Sequence, residues 1–168
     1  GSTQSAITYL DGENGVLRYR GYSIEELAEN ASFIEVAYLL IYGDLPNAEQ
    51  LKYFQEGITH HTLVHENMKR FFEAFPPGAH PMGMLSSMIS SLSTFYPESQ
   101  NPNRSVVDIE LTIHRLIAKL PTLAAQAYKH NMGHPTVYPS NKLSYCGNFL
   151  QMMFALPSEE YTVDPIVE

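Results

Sequence analysis

Ser32-Phe33-Ile34-Glu35-Val36-Ala37-Tyr38-Leu39-Leu40-Ile41-Tyr42-Gly43 is the stretch that decides the fold. Ser32 with Glu35 three residues on is a capping box: the hydroxyl accepts from a free amide of the first turn and the carboxylate reaches back. Ten residues without glycine or proline follow, and Gly43 closes them as the left-handed residue after the last turn. The helix is apolar nearly all round, which predicts burial among other helices.

Toward the N-terminus, Ile7-Thr8-Tyr9-Leu10 and Val16-Leu17-Arg18-Tyr19 are β-prone runs. Asp11-Gly12-Glu13-Asn14-Gly15 between them supplies a tight reversal, so a hairpin is expected over about 7–20. Two strands alone are barely stable and must lean on something. Ser23 with Glu26 opens a further helix.

Toward the C-terminus, Asn47 caps a helix reaching about Gly57, with Leu51, Phe54 and Ile58 on one side. A short helix holds Met68, Phe71, Phe72 and Phe75 and ends at Pro76-Pro77-Gly78. Pro81 suits the first position of the next helix. Its apolar stripe is Leu85, Met88, Ile89, Leu92 and Phe95 or Tyr96; its other face is serine and threonine from Ser86 to Thr94. Small residues permit close approach, which suits a central or interface helix. Ser105 with Asp108 caps a long helical stretch whose stripe is Ile109, Ile113, Leu116, Ile117 and Leu120. Pro121 is expected to kink that helix rather than end it, with Gly133 as the stop. A last helix runs from about Leu143 to Phe154. The tail enters another element at Asp164-Pro165 and stops within it, which reads as a truncated chain. No internal repeat or linker is present, so the stretch 1–168 reads as one partial domain.

Bulk properties narrow the function. The 168 residues are 44% hydrophobic and carry a formal charge of −8. The ten Lys and Arg are scattered, which excludes the basic patch that nucleic acid requires. No apolar run approaches the roughly 20 residues needed to span a bilayer, and no signal peptide opens the chain. Cys146, the one cysteine, cannot form an intrachain disulfide; among Leu143, Tyr145 and Phe149 it reads as an inert thiol.

The residues by themselves name no reaction. His61 and His65 stand four apart, a spacing that on a helix can hold zinc, but no third ligand accompanies them, and no metal site is expected. His130 and His134 read as loop residues. His80-Pro81 reads as a helix cap. Glycine-rich phosphate loops, a nucleophile elbow and a catalytic carboxylate pair are all missing.

An ordered set of stretches resembles the bacterial type II citrate synthases. They are Ile7 to Gly12 with Leu17 to Tyr22; Ser23 to Leu27; Glu35 to Leu40; His61-Thr62 with His65-Glu66; Ala79-His80-Pro81-Met82; Lys119-Leu120-Pro121-Thr122; Tyr138-Pro139; and Leu143 to Leu150. The resemblance covers nearly the whole chain. It implies a mainly α fold, a portion of the large multi-helical domain with a short N-terminal hairpin. It implies a parent enzyme that condenses acetyl-CoA with oxaloacetate to citrate and CoA by acid–base chemistry. The family's catalytic histidines, aspartate and arginines have no counterpart here, so no catalytic residue is assigned and the piece is expected to be inactive alone. No cofactor is expected on it; acetyl-CoA is a substrate of the parent. A 2-methylcitrate synthase using propionyl-CoA and a non-catalytic helical interaction module are the alternatives.

The resemblance further implies self-association, as a homodimer or hexamer, through helices near 82–96 and 105–130, and a bacterial cytoplasmic location. Some type II members are inhibited by NADH. The matching positions are His61, Thr62, Tyr96, Arg115 and Lys119, with His60 standing where those enzymes carry an arginine.

Overall fold

The computed structural model describes residues 4–167. The chain divides into two compact units, 1–56 and 57–168, and the division falls inside a helix rather than in a linker.

In the first unit, β1 (Thr8–Asp11), β2 (Val16–Tyr19) and β3 (Tyr22–Ser23) form an antiparallel sheet in chain order. Thr8 pairs with Tyr19 and Asp11 with Val16, the hairpin expected from the sequence. The third strand is an addition. It exists because Arg20 and Gly21 both take positive φ, 50° and 93°, as a two-residue reversal between twisted strands requires. α1 (Ile24–Asn30) packs on β2 and β3 and gives the sheet its support.

Arg20 adopts a left-handed conformation that a non-glycine residue enters at a cost. Its side chain offsets that cost by donating from Nη2 to the Leu40 carbonyl at 2.9 Å. Leu40 lies in the last turn of α2 (Phe33–Tyr42), where carbonyls lack helical partners. Arg20→Ala is expected to lower stability by about 1–3 kcal/mol. Arg20→Gly should lose less, because glycine relieves the left-handed strain. Urea midpoints of the two variants check the order.

The capping box of α2 is present. Glu35 N–H donates to Ser32 Oγ at 3.3 Å, and Ser32 N–H donates to Glu35 Oε2 at 2.8 Å. Gly43 closes the helix at φ 98°. All-round burial is not what this chain shows: Ile34 and Leu39 are buried, while Phe33 and Tyr42 are exposed. One side of α2 instead meets α3 (Ala48–Thr59), where Tyr38 and Tyr42 stand edge-on to Phe54 at 5.4 and 6.0 Å. Asn47 and Gln50 exchange two 2.9 Å bonds at the start of α3.

The second unit holds α4 (Met68–Glu73), α5 (Pro81–Phe95), a single 3-10 turn at Pro97–Gln100, α6 (Val106–Met132) and α7 (Tyr145–Phe154). Its core joins Val64, Met68, Phe72, Met84, Met88, Leu92, Leu123 and Ala127. On α5 the buried line is Met84, Met88 and Leu92; Met88 and Leu92 belong to the predicted stripe, Met84 joins them, and Leu85 and Ile89 are half-buried beside it. The serine face points outward. Ser86, Ser87, Ser91, Ser93 and Thr94 donate to carbonyls of their own helix, which leaves a small, internally satisfied surface.

α6 shows the largest departure from expectation. Three of the five predicted stripe residues are outside: Ile109, Leu116 and Leu120 are each more than 40% exposed, while Ile113 and Ile117 are half-buried. The buried side carries His114, Ala118, Lys119, Thr122, Leu123, Gln126 and Lys129. Polar side chains are tolerated there because several find backbone partners; Lys129 Nζ, for example, donates to the Ala155 carbonyl at 2.6 Å. Ala155 follows the last turn of α7, and Lys129 itself lies in the last turn of α6. Two helix C-termini therefore favour this cation without a carboxylate.

Pro121 lies inside the unbroken α6. It cannot donate to the carbonyl four residues back, Ile117. Tyr145 OH takes that place at 2.9 Å, and burial pushes its phenol up to about 12. Tyr145→Phe is expected to cost about 1–3 kcal/mol, because it orphans a carbonyl. In a Pro121→Ala background the helix supplies its own donor, so the Tyr145→Phe cost should shrink. A double-mutant cycle measures the difference. Among the described residues, no helix is long and apolar enough to cross a membrane.

Candidate functional site

The residues singled out by resemblance come together where the segment after α3 meets α6 and where the end of α5 meets α6. The segment is held by backbone carbonyls. Lys119 Nζ donates to His61 O and to Leu63 O, both at 2.6 Å, and Thr122 Oγ1 donates to Thr62 O at 2.8 Å. Three successive carbonyls are thus gripped by one face of α6. The His61 ring turns back, with Nδ1 2.6 Å from the Gly57 carbonyl, and Thr62 Oγ1 donates to Thr59 O.

Lys119 is 2% exposed. Burial, aided by the Arg115 charge, lowers its ammonium from 10.5 to about 8. Its two carbonyl partners keep it charged near neutrality, but its donors face the protein rather than an open site.

Arg115 and Tyr96 are arranged differently. The guanidinium lies 4.3 Å from the Tyr96 ring centroid and pairs with Glu98 on the 3-10 turn. That contact holds the Glu98 carboxyl below its usual value, and burial raises the Tyr96 phenol. Arg115 Nε is buried without a hydrogen-bond partner. Lys119 Nζ sits 5.5 Å from the same ring. Beside this stack is a cavity of about 260 Å³ lined by Ile89, Ser90, Leu92, Ser93, Tyr96, Ser99, Arg104, Thr112, Arg115 and Leu116. It offers an aromatic face, hydroxyls and two guanidinium groups. It has no carboxylate or imidazole in its lining.

Of the five resemblance-derived positions, Tyr96 and Arg115 line this cavity, while His61 and Thr62 lie in the segment that Lys119 grips. Sequence reasoning missed Arg104, Ser99 and Thr112. The signal available was Tyr96-Pro97, which turns the chain sharply at the end of α5, and the Ser105 cap, which sends it back along α6.

The histidines take local roles. His80 Nδ1 accepts from Met82 N–H and caps α5. His65 Nδ1 accepts from Asn67 N–H, and its ring stands 5.1 Å from Phe95. Both His61 and His65 lie outside helices. Among the described residues, no three His, Cys, Asp or Glu side chains gather as a metal site.

Residues 1–166 match the family described as "Citrate synthase, C-terminal domain". Citrate synthase 1 of Mycobacterium tuberculosis is 51% identical over 166 residues, 99% of this chain and 38% of that protein. The crystal structure of citrate synthase from Pyrobaculum aerophilum superposes with a TM-score of 0.84 at 30% identity, covering 98% of this chain and 41% of that one. That of citrate synthase from Thermotoga maritima MSB8 gives 0.74 at 30% identity, covering 92% and 39%. The chain therefore spans about two fifths of the length of the relatives it matches.

Proposed function

The chain belongs to the citrate synthase family, and we propose that the protein it forms part of condenses acetyl-CoA with oxaloacetate to give citrate and CoA. The 51% identity to a protein named citrate synthase, sustained over 166 residues, carries this reading. Within it, residues 1–168 supply helical frame rather than chemistry. Removing a methyl proton from a thioester calls for a positioned carboxylate or imidazole. The cavity beside Tyr96 offers neither. Acetyl-CoA enters as a substrate; no cofactor is assigned to these residues, and the cytoplasm is the proposed location.

Self-association belongs to the same proposal, as a homodimer or a hexamer. The outward Ile109, Leu116 and Leu120 stripe and the satisfied serine face of α5 support it, since both lose little on leaving water. A regulatory NADH site at His61, Thr62, Tyr96, Arg115 and Lys119 is proposed with a change of emphasis. Arg115 and Arg104 would meet the phosphates, Tyr96 would take a ring, and Lys119 would hold the wall.

The experiment is release of CoA thiol by the complete gene product given acetyl-CoA and oxaloacetate, with and without NADH. Turnover with acetyl-CoA supports the reading. Turnover confined to propionyl-CoA would replace it with methylcitrate synthesis, and none with either would leave a helical interaction module. Inhibition by NADH that Arg104→Ala weakens supports the effector site; indifference to millimolar NADH removes it.

A further inference from the structure

The segment leaving α3 is closed on α6 through a buried imidazole as well as through the Lys119 grip. His114 is 4% exposed and lies against bare backbone: a Cβ on Gly57 would stand 2.5 Å from His114 Nδ1 and 2.8 Å from Cε1. On the other side, His61 Nδ1 donates to the Gly57 carbonyl at 2.6 Å. Two imidazoles thus flank one glycine, and the carbonyls that follow are held by Lys119 and Thr122.

We propose that Gly57, His61 and His114 form an acid-sensitive latch, in which the segment Gly57–Leu63 is closed on α6 while His114 is neutral and is released when His114 takes up a proton.

The geometry sets the direction. An imidazolium at position 114 would be stripped of water and placed beside His61. Burial pushes His114 below its ordinary 6.5, and the charge of His61 pushes the same way. Glu110, one turn earlier on α6, pulls in the opposite direction, by less than burial and by more than His61.

The closed form therefore binds the proton less well than the released form. The contribution of His114 to closure is full above about pH 6.5 and is lost as the pH falls below it. The His61 Nδ1 bond to the Gly57 carbonyl keeps that ring beside His114. The latch stands apart from the proposed condensation. Its consequence is to decide whether His61 and Thr62 remain against α6.

Amide hydrogen exchange of residues 57–63 tests this in the complete protein at pH 7.5 and 5.5, corrected for intrinsic exchange. The native protein should open more readily below pH 6.5, by up to about tenfold per pH unit, the limit for one proton. His114→Phe should abolish that dependence, and His61→Gln should weaken it, because loss of the His61 charge lets the closed form hold the proton better. Opening that is independent of pH, or unchanged by His114→Phe, overturns the latch. If His114→Phe does not fold, the NMR titration of the native His114 ring decides. A midpoint below 6.5 that coincides with amide opening supports the latch. A midpoint at or above 6.5, or one that does not track opening, overturns it.

Discussion

Leu123→Ala is expected to destabilise the second unit by about 2–5 kcal/mol. Leu123 is 0% exposed and sits in the core formed with Met68, Phe72, Met84 and Met88. Removing three methyl-sized groups there forfeits transfer energy and leaves a cavity that the surrounding side chains close only in part. Leu116, seven residues earlier on the same helix, is 43% exposed. Its replacement by alanine should cost within about 0.5 kcal/mol in the isolated chain. Urea unfolding of the two variants reads the helix face directly: similar losses would contradict the orientation of α6.

Lys119→Met is expected to cost about 2–5 kcal/mol, a large effect for the loss of one cation. Two carbonyls, of His61 and Leu63, lose their donor, and each buried orphan acceptor costs about 1–3 kcal/mol. Relief of the desolvated ammonium returns part of that. Lys52→Met is the control, because its pairing with Glu56 is exposed and such pairs contribute about 0–1 kcal/mol. If both variants unfold at the same urea concentration, Lys119 is not the grip on the 61–63 segment.

Caps are written locally, and the sequence declares them: Ser32 with Glu35, Asn47 with Gln50, His80 before Pro81 and Ser105 with Asp108 all form their bonds within three residues. The hairpin is equally local. The buried face of α6 is not. Its apolar residues at 109, 116 and 120 follow the helical period and invite a core assignment, yet they lie outside. Lys119, Thr122 and Lys129 lie inside because carbonyls 56–58, 60 and 26 residues away in sequence accept from them. No pattern of residue types reveals a carbonyl as a partner.

The candidate site divides in the same way. Tyr96 and Arg115 were legible through resemblance, and the structure brings them into contact. Arg104 was not, because it reaches the cavity only through the turn at Pro97–Gln100. Pro121 was half legible: its position forbids one helical bond, but the hydroxyl that replaces the missing donor comes from Tyr145, 28 residues along.

We propose that these residues frame a citrate synthase without performing its chemistry. The most direct measurement is CoA release from acetyl-CoA and oxaloacetate by the 168-residue chain beside the complete gene product, with far-UV circular dichroism recording that the chain is helical. The account predicts turnover by the complete protein and none above background by the helical chain. Sustained turnover by the chain alone would contradict it.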